Sequence, residues 1–336
     1  MVLSLSAVRL GRALPVAVAA ALSLAAACGD EGAGSGGPDA GSPVVLATTS
    51  IWADVIGELT CNGEAGVTVE TLMPPGVDPH QYEPSLQDRQ RLEGAGLVVA
   101  NGAGLETGVT PLLDSVDADL LVTITEMPGL QLLAGSHEDE GHPDEAGDEE
   151  EGLEEDVDPH VWLDPTIVAA SIDPLADAVV EAVGAGDGVD ADAIADCAEA
   201  YGQQLEALDA EIEDTVGALP ERRRVLVTNH DAYGYFAERY GFDVVGTVIP
   251  STSTMAETNA VDLQELSATI GREDVPAIFV DADHDGAEAE NLARSVDVEV
   301  VRLAAESLGD DGNSGTGSYV ELMRTNARTI VDALAG

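Results

Sequence analysis

The feature that most constrains this chain is a stretch without breakers. Residues 190–219, "DADAIADCAEAYGQQLEALDAEIEDTVGAL", contain no proline and only two glycines. Ile194, Cys197, Tyr201, Leu205, Leu208, Ile212 and Val216 recur at three- and four-residue steps, the period of one apolar face on an α-helix. A helix of about 29 residues reaches roughly 43 Å at 1.5 Å per residue. That is the length of a domain, so the helix is expected to join two lobes rather than sit inside one.

On either side of it, strand and helix patterns alternate. Before it, "VVLATT" (44–49), "VTVETLM" (67–73), "LVVA" (97–100) and "LLVTI" (120–124) read as strands. "SIWADVIGEL" (50–59) and "SLQDRQRLEGA" (85–95) read as helices, the second opening on a Ser cap. From Arg224 the alternation restarts, with strands "VLVT", "DVVGTVI", "AIFV" and "VEVVRL". Between and after them lie helical patterns at 231–241, 259–270, 286–295 and 317–336. The expected fold is α/β: two lobes, each a mostly parallel sheet flanked by helices, joined by a long helix. The expected division is an N-terminal lobe over 44–168, a helical linker over 169–221 and a C-terminal lobe over 222–336. Neither a P-loop nor GxGxxG occurs.

Sixty-four acids face thirteen bases, all of them arginine, for a formal charge of −51. Such a chain cannot neutralise phosphates, which excludes nucleic acid as a partner. Its summed field favours cations, although a surface adapted to salt has the same composition. The acids concentrate in "SHEDEGHPDEAGDEEEGLEED" (136–156), with twelve carboxylates, His137 and His142. This segment has too few apolar residues for a core and is expected to be a disordered surface loop.

The N-terminus carries Arg9 and Arg12 before an apolar run from Ala13 to Ala27, the layout of a secretory signal over 1–27. Cys28 directly after "LAAA" has the look of a bacterial lipid-attachment site, although Leu24 stands four residues before it rather than the usual three. Residues 28–43, rich in Gly, Ser and Pro, are expected to form a flexible tether. Exported thiols meet oxidising conditions, so Cys61 and Cys197 are either a disulfide or two buried free thiols.

Four of the six histidines fall outside the acidic segment. His80 and His160 share the setting "VDPH", at 77–80 and 157–160. Proline fixes its own φ and biases the preceding Asp toward extended backbone, so each imidazole is presented stiffly. Asp78 and Asp158 are positioned to accept the second ring N–H, as outer partners of metal-bound histidines do. His230, in "VLVTNHDAYGYF", sits where a strand ends and a helix begins, the edge on which open α/β sheets place ligands. Glu306 again follows a strand. His284 lies among acids in "VDADHDGAEAE" and is assigned to weak capture or to no role.

The segments "VTVETLMPPGVDPHQYEPS", "DPHVWLDP", "TNHDAYGYFAERYG" and "ESLG…GSYVELMRTNA" resemble the zinc/manganese solute-binding lipoproteins of bacterial ABC importers, the ZnuA/TroA-like group. The similarity covers about residues 44–336. It implies the cluster A-I type of metal-binding fold, in which two lobes on a rigid helix hold a metal in the cleft between them, with modest lobe rearrangement. By motif it implies His80 and His160 as ligands from the first lobe, and His230 and Glu306 from the second. The family more often has Asp at the last position, so the fourth ligand is Glu306 or a water, with Asp281 and Asp283 as weaker substitutes. Manganese-type relatives have Glu where this chain has His230. Three imidazoles suit tetrahedral Zn2+ better than Mn2+, which takes more oxygen ligands.

The function implied is capture of Zn2+ and its delivery to an ABC permease and its ATPase, by a monomer held to the membrane through lipid on Cys28. The acidic segment, with His137 and His142, would enrich cations nearby. A manganese or iron carrier of the same fold is the first alternative. A zinc hydrolase also fits three histidines and an open position, but HExxH is missing and no general base stands beside a ligand. A surface adhesin would need partner-binding residues that the sequence does not display.

Overall fold

The computed structural model describes residues 41–135, 157–184, 188–284, 286–309 and 316–336. The expected signal at 1–27, Cys28, and the acidic segment with His137 and His142 lie outside the described residues.

In the N-terminal lobe, β1 (Val44–Ala47) leads into α1 (Ser50–Leu59), where the Thr49 side chain accepts the Trp52 N–H and caps the helix. β2 (Thr68–Thr71) is followed by a loop and a short 3-10 turn at Pro79–Gln81. α2 (Leu86–Gly94) starts on a reciprocal capping box between Ser85 and Asp88. Then come β3 (Leu97–Ala100), the single turn α3 (Thr110–Leu113) and β4 (Leu121–Thr123). Every residue of β3 is buried, as expected of a parallel strand covered on both faces.

α4 (Pro165–Val183) and α5 (Ala191–Gly217) form the spine. The 27 residues of α5 span about 40 Å. Its stripe of Ile194, Ala198, Tyr201, Leu205, Leu208, Ile212 and Val216 is buried, each large side chain contributing about 1.5–3 kcal/mol. The stripe packs against α1, α4 and the last helix of the chain, so tertiary burial rather than propensity holds this long helix. Cys61 and Cys197 are joined as a disulfide, with Cα atoms 5.7 Å apart, linking the end of α1 to α5.

The C-terminal lobe runs β5 (Val225–Thr228), α6 (Gly234–Tyr240), β6 (Asp243–Thr247), α7 (Ala260–Glu273), β7 (Ala277–Asp281), α8 (Ala287–Val296), β8 (Glu299–Leu303) and α9 (Tyr319–Ala335). Among the described residues the strands form two four-stranded sheets with orders β2-β1-β3-β4 and β6-β5-β7-β8, every adjacent pair parallel. The two lobes therefore repeat one winding, and each reverses direction between its first and third strands. Outside the carboxyl ends at that reversal is where such sheets bind ligands. One apolar core joins both lobes, containing Val45 and Val99, Leu205 and Leu208, and Leu226 and Phe279. No helix among the described residues is long and apolar enough to cross a membrane.

Candidate metal centre

Three of the four candidate side chains, His80, His230 and Glu306, follow the carboxyl ends of sheet strands. His80 lies in the 3-10 turn after β2, where Asp78 has φ −68° and ψ 116° and its side chain accepts the His80 N–H. His160 immediately precedes the turn Val161–Leu163 that leads into α4. His230 follows β5, and Glu306 follows β8. All four are buried, at 3%, 0%, 1% and 2% exposure respectively.

Their ligand atoms converge. One atom from each of His80, His160, His230 and Glu306 lies within 4.8 Å of all the others. The Nε2 atoms of His160 and His230 are 3.2 Å apart. Glu306 Oε1 lies 3.4 Å from His160 Nε2 and 3.3 Å from His230 Nε2, and Oε2 lies 3.9 Å from His80 Nε2. Bonds of about 2.0–2.1 Å from a tetrahedral Zn2+ put neighbouring ligand atoms about 3.3–3.4 Å apart. Three of these separations already match. His80 Nε2 and both Glu306 oxygens are buried and make no hydrogen bond among the described residues. Buried groups left so are costly unless something pairs them, and a cation held between them would do so.

The electrostatics separate the three imidazoles. Burial opposes charging of His160, but the carboxylates of Glu306 and Asp158 together outweigh it and push its pKa up to about 9. His230 is raised well above the usual value by the same balance, with burial opposed by Asp281 and Glu306. At His80 burial wins and lowers the pKa to about 3, Glu306 offsetting it only in part. The reason is a second carboxylate. Asp158 Oδ1 stands 2.7 Å from His160 Nδ1, and Asp281 Oδ2 stands 2.7 Å from His230 Nδ1. Burial alone would raise the pKa of Glu306, yet its contacts with His160 and His230 pull it well below the ordinary carboxylate range.

Two sequence expectations need correcting. Asp78 does not orient the His80 ring: one oxygen takes the His80 backbone N–H, and the other takes Gln81 and Thr254. Asp281 and Asp283 are outside the cluster of ligand atoms; Asp281 faces the outer nitrogen of His230, and Asp283 accepts from Ser307. His284 is also outside it, its Nδ1 accepting the Gly286 N–H.

Sequence reasoning missed the residues that hold His160 in place. Asn101 accepts the Trp52 indole N–H and donates to the Pro159 carbonyl, both at 2.9 Å. Beneath it the buried Glu106 accepts Thr48 Oγ1 and the N–H groups of Asn101 and Gly102. Tyr235 donates its hydroxyl to the Asp158 carbonyl at 2.9 Å. A Cβ on Gly234 would lie 2.8 Å from Asp158 Oδ2, so a larger residue at the start of α6 would push that carboxylate aside. The one available signal was an acid, Glu106, two residues past the Gly-rich "NGAG" that follows β3.

The model of the family ZnuA, described as zinc-uptake complex component A, periplasmic, matches residues 45–333. The zinc-binding protein TroA of Treponema pallidum is 34% identical over 303 residues, 88% of this chain and 90% of its own length. Its solved structure superposes with a TM-score of 0.75 over 88% of this chain and 99% of that one. The manganese-binding lipoprotein MntA of Halalkalibacterium halodurans is 30% identical over 93% of this chain and 95% of its own length. A periplasmic metal-binding protein of Candidatus Liberibacter asiaticus, at 20% identity, shares the fold with a TM-score of 0.69 over 87% of this chain and 99% of that one. By its sequence match and its two-lobed fold, the chain belongs to the zinc/manganese solute-binding proteins of ABC transporters, the ZnuA family.

Proposed function

We propose that this protein captures Zn2+ between its lobes through His80, His160, His230 and Glu306 and delivers it to a membrane ABC permease driven by its ATPase. The observation that carries the reading is the spacing of buried, mutually facing ligand atoms at the edge length of a zinc tetrahedron. With Glu306 inside the cluster, four protein atoms are available for the four positions. That is the closed pattern of a binding site, whereas catalytic zinc keeps one position for water. The chain accordingly works as a carrier and not as a hydrolase.

Manganese is the second reading, favoured by the 30% identity to a manganese-binding lipoprotein. Three imidazole nitrogens against one carboxylate support zinc over manganese, because Mn2+ takes carboxylate, carbonyl and water oxygens. In the cell the mature chain begins at Cys28 after loss of 1–27, is anchored by lipid on that cysteine, and acts as a monomer outside the cytoplasmic membrane. Residues 136–156, with His137 and His142, raise the local cation concentration without forming a tight site.

Elemental analysis of the mature protein purified without added metal tests this, alongside His160→Ala. One zinc per chain in the parent and none in the variant is expected. Manganese in the parent would reassign the cargo, and equal zinc in both would remove the site.

A further inference from the structure

The twin "VDPH" motifs use their aspartates differently. Among the described residues Asp158 Oδ1 serves His160 alone, accepting its backbone N–H at 3.0 Å and facing its ring Nδ1 at 2.7 Å. Asp78 divides its two oxygens. Oδ1 accepts the His80 N–H at 2.9 Å. Oδ2 accepts Thr254 Oγ1 at 2.7 Å and Gln81 Nε2 at 2.8 Å. Thr254 lies between β6 and α7, in the opposite lobe, and is buried at 6% exposure. One carboxylate thus fixes the backbone of a ligand and ties it across the cleft.

A second bond crosses the same gap. The Gly76 N–H donates to Ser307 Oγ at 2.8 Å, and Ser307 donates to Asp283 Oδ2 at 2.7 Å. The loop before His80 is therefore fastened to the C-terminal lobe at Thr254 and again beside Glu306.

The surroundings of the three imidazoles indicate which one moves. His160 is flanked by buried Asp158, Pro159, Val161 and Trp162, and His230 by buried Thr228 and Asn229. Around His80, Pro79 is buried, but Pro74, Gly76 and Gln81 are exposed. Parting the lobes as wholes would open the apolar core they share, whereas lifting the loop breaks its fastenings at Thr254, which include a longer bond from Gln81 Nε2 at 3.4 Å, and at Ser307.

We propose that the Asp78–Thr254 clasp sets the rate at which bound metal leaves, Thr254 being a positioning residue that holds the His80 loop closed over the cleft. The proposal rests on the reading of the site as a zinc carrier. Loss of the Thr254 hydroxyl frees Asp78 from the opposite lobe, so His80 withdraws with its loop and the ion dissociates sooner. The other three ligands stay in place, so stoichiometry is kept.

The test loads the full chain with one Zn2+ and follows release into excess chelator by stopped flow, for the parent, Thr254→Val and Thr254→Ser. Thr254→Val keeps the shape and loses the donor; Thr254→Ser keeps the donor. The expected result is release at least about tenfold faster in Thr254→Val, equivalent to about 1.4 kcal/mol in barrier, with Thr254→Ser within about twofold of the parent. Equal release from all three overturns the clasp while leaving the carrier reading intact. Equally accelerated release from both variants assigns Thr254 to packing and also overturns it. A parent chain that retains no zinc at all defeats the carrier reading itself.

Discussion

The indole N–H of Trp162 donates to the carbonyl of Ala305 at 2.8 Å, joining the residue two places after His160 to the residue just before Glu306. The Trp162 carbonyl in turn accepts the Tyr319 hydroxyl at 2.7 Å. A candidate ligand of one lobe and a candidate ligand of the other are thus held in register through buried hydrogen bonds, independently of any ion. Trp162→Phe keeps an aromatic ring but leaves the Ala305 carbonyl without its donor, a loss of about 1–3 kcal/mol before any cavity is counted. Urea denaturation of the metal-free chain should show that loss, and zinc affinity should fall with it. Unchanged affinity at reduced stability would mean that this bond supports the fold alone.

The outer carboxylates give a second prediction. Asp158 and Asp281 each stand 2.7 Å from the Nδ1 of their histidine; the Asp158 hydrogen bond fixes the His160 tautomer and aims its Nε2 inward, and Asp281 puts a negative charge beside the outer nitrogen of His230. Removing such an outer partner typically weakens metal affinity about 10–100-fold. Asp158→Asn and Asp281→Asn are expected in that range in a competition titration, each still binding one zinc. Asp78→Asn is expected to act differently, through release rate, because its carboxylate does not face the His80 ring.

Much of this was legible in the chain, and the divisions are physical. The ten residues of α1, Ser50–Leu59, match the expected span because Thr49 caps them and the apolar spacing is regular. The VDPH histidines stood out because proline stiffens backbone locally, a property that needs no tertiary structure. α6 begins at Gly234, later than expected, because the residues after His230 form a turn that brings Asp158 against the helix start. The partner of His230 was hidden because Asp281 meets it only when β5 pairs with β7. Thr254 lies in "STSTM", a polar loop with no local mark of its bond to a residue 176 positions away.

The disulfide supplies a third prediction. It closes a separation of 136 residues, and restricting so long a loop in the unfolded chain contributes about 2–4 kcal/mol. Replacing both Cys61 and Cys197 by Ser should lower the denaturation midpoint accordingly while leaving zinc stoichiometry at one. The pair sits beyond the end of α1 away from Ser50, whose hydroxyl accepts the Leu308 N–H near the cleft. A loss of zinc binding in the double variant would show that the bridge also holds the site.

Deletion of 136–156 removes twelve acids from a chain of net charge −51. Steering by charge acts on encounter and is screened by salt. The shortened chain should load zinc more slowly at low ionic strength and lose part of its salt dependence, with equilibrium affinity within a few-fold of the parent. A large drop in affinity would place a ligand inside the segment.

The pH dependence follows from the raised values at the site. In the metal-free chain the pKa of His160 is pushed up to about 9, against 6.5 for the ordinary imidazole. A folded-state pKa above the unfolded one adds stability that is complete below 6.5 and disappears as pH rises through 9. His80, lowered to about 3, has the opposite sign. Its contribution is present above 6.5 and lost as pH falls toward 3, so it leaves the window from 6.5 to 9 undisturbed. Within that window Zn2+ must displace the His160 proton, and that of His230, which is also raised. Apparent affinity should therefore climb about tenfold per pH unit for each proton released. Melting curves with and without zinc should diverge as pH rises from 6.5 to 9, since only the metal-free form is losing stability there. A zinc-induced shift in Tm that narrows across this range would mean that His160 is already neutral before the ion arrives, and the charge balance assigned to Glu306 and Asp158 would be wrong.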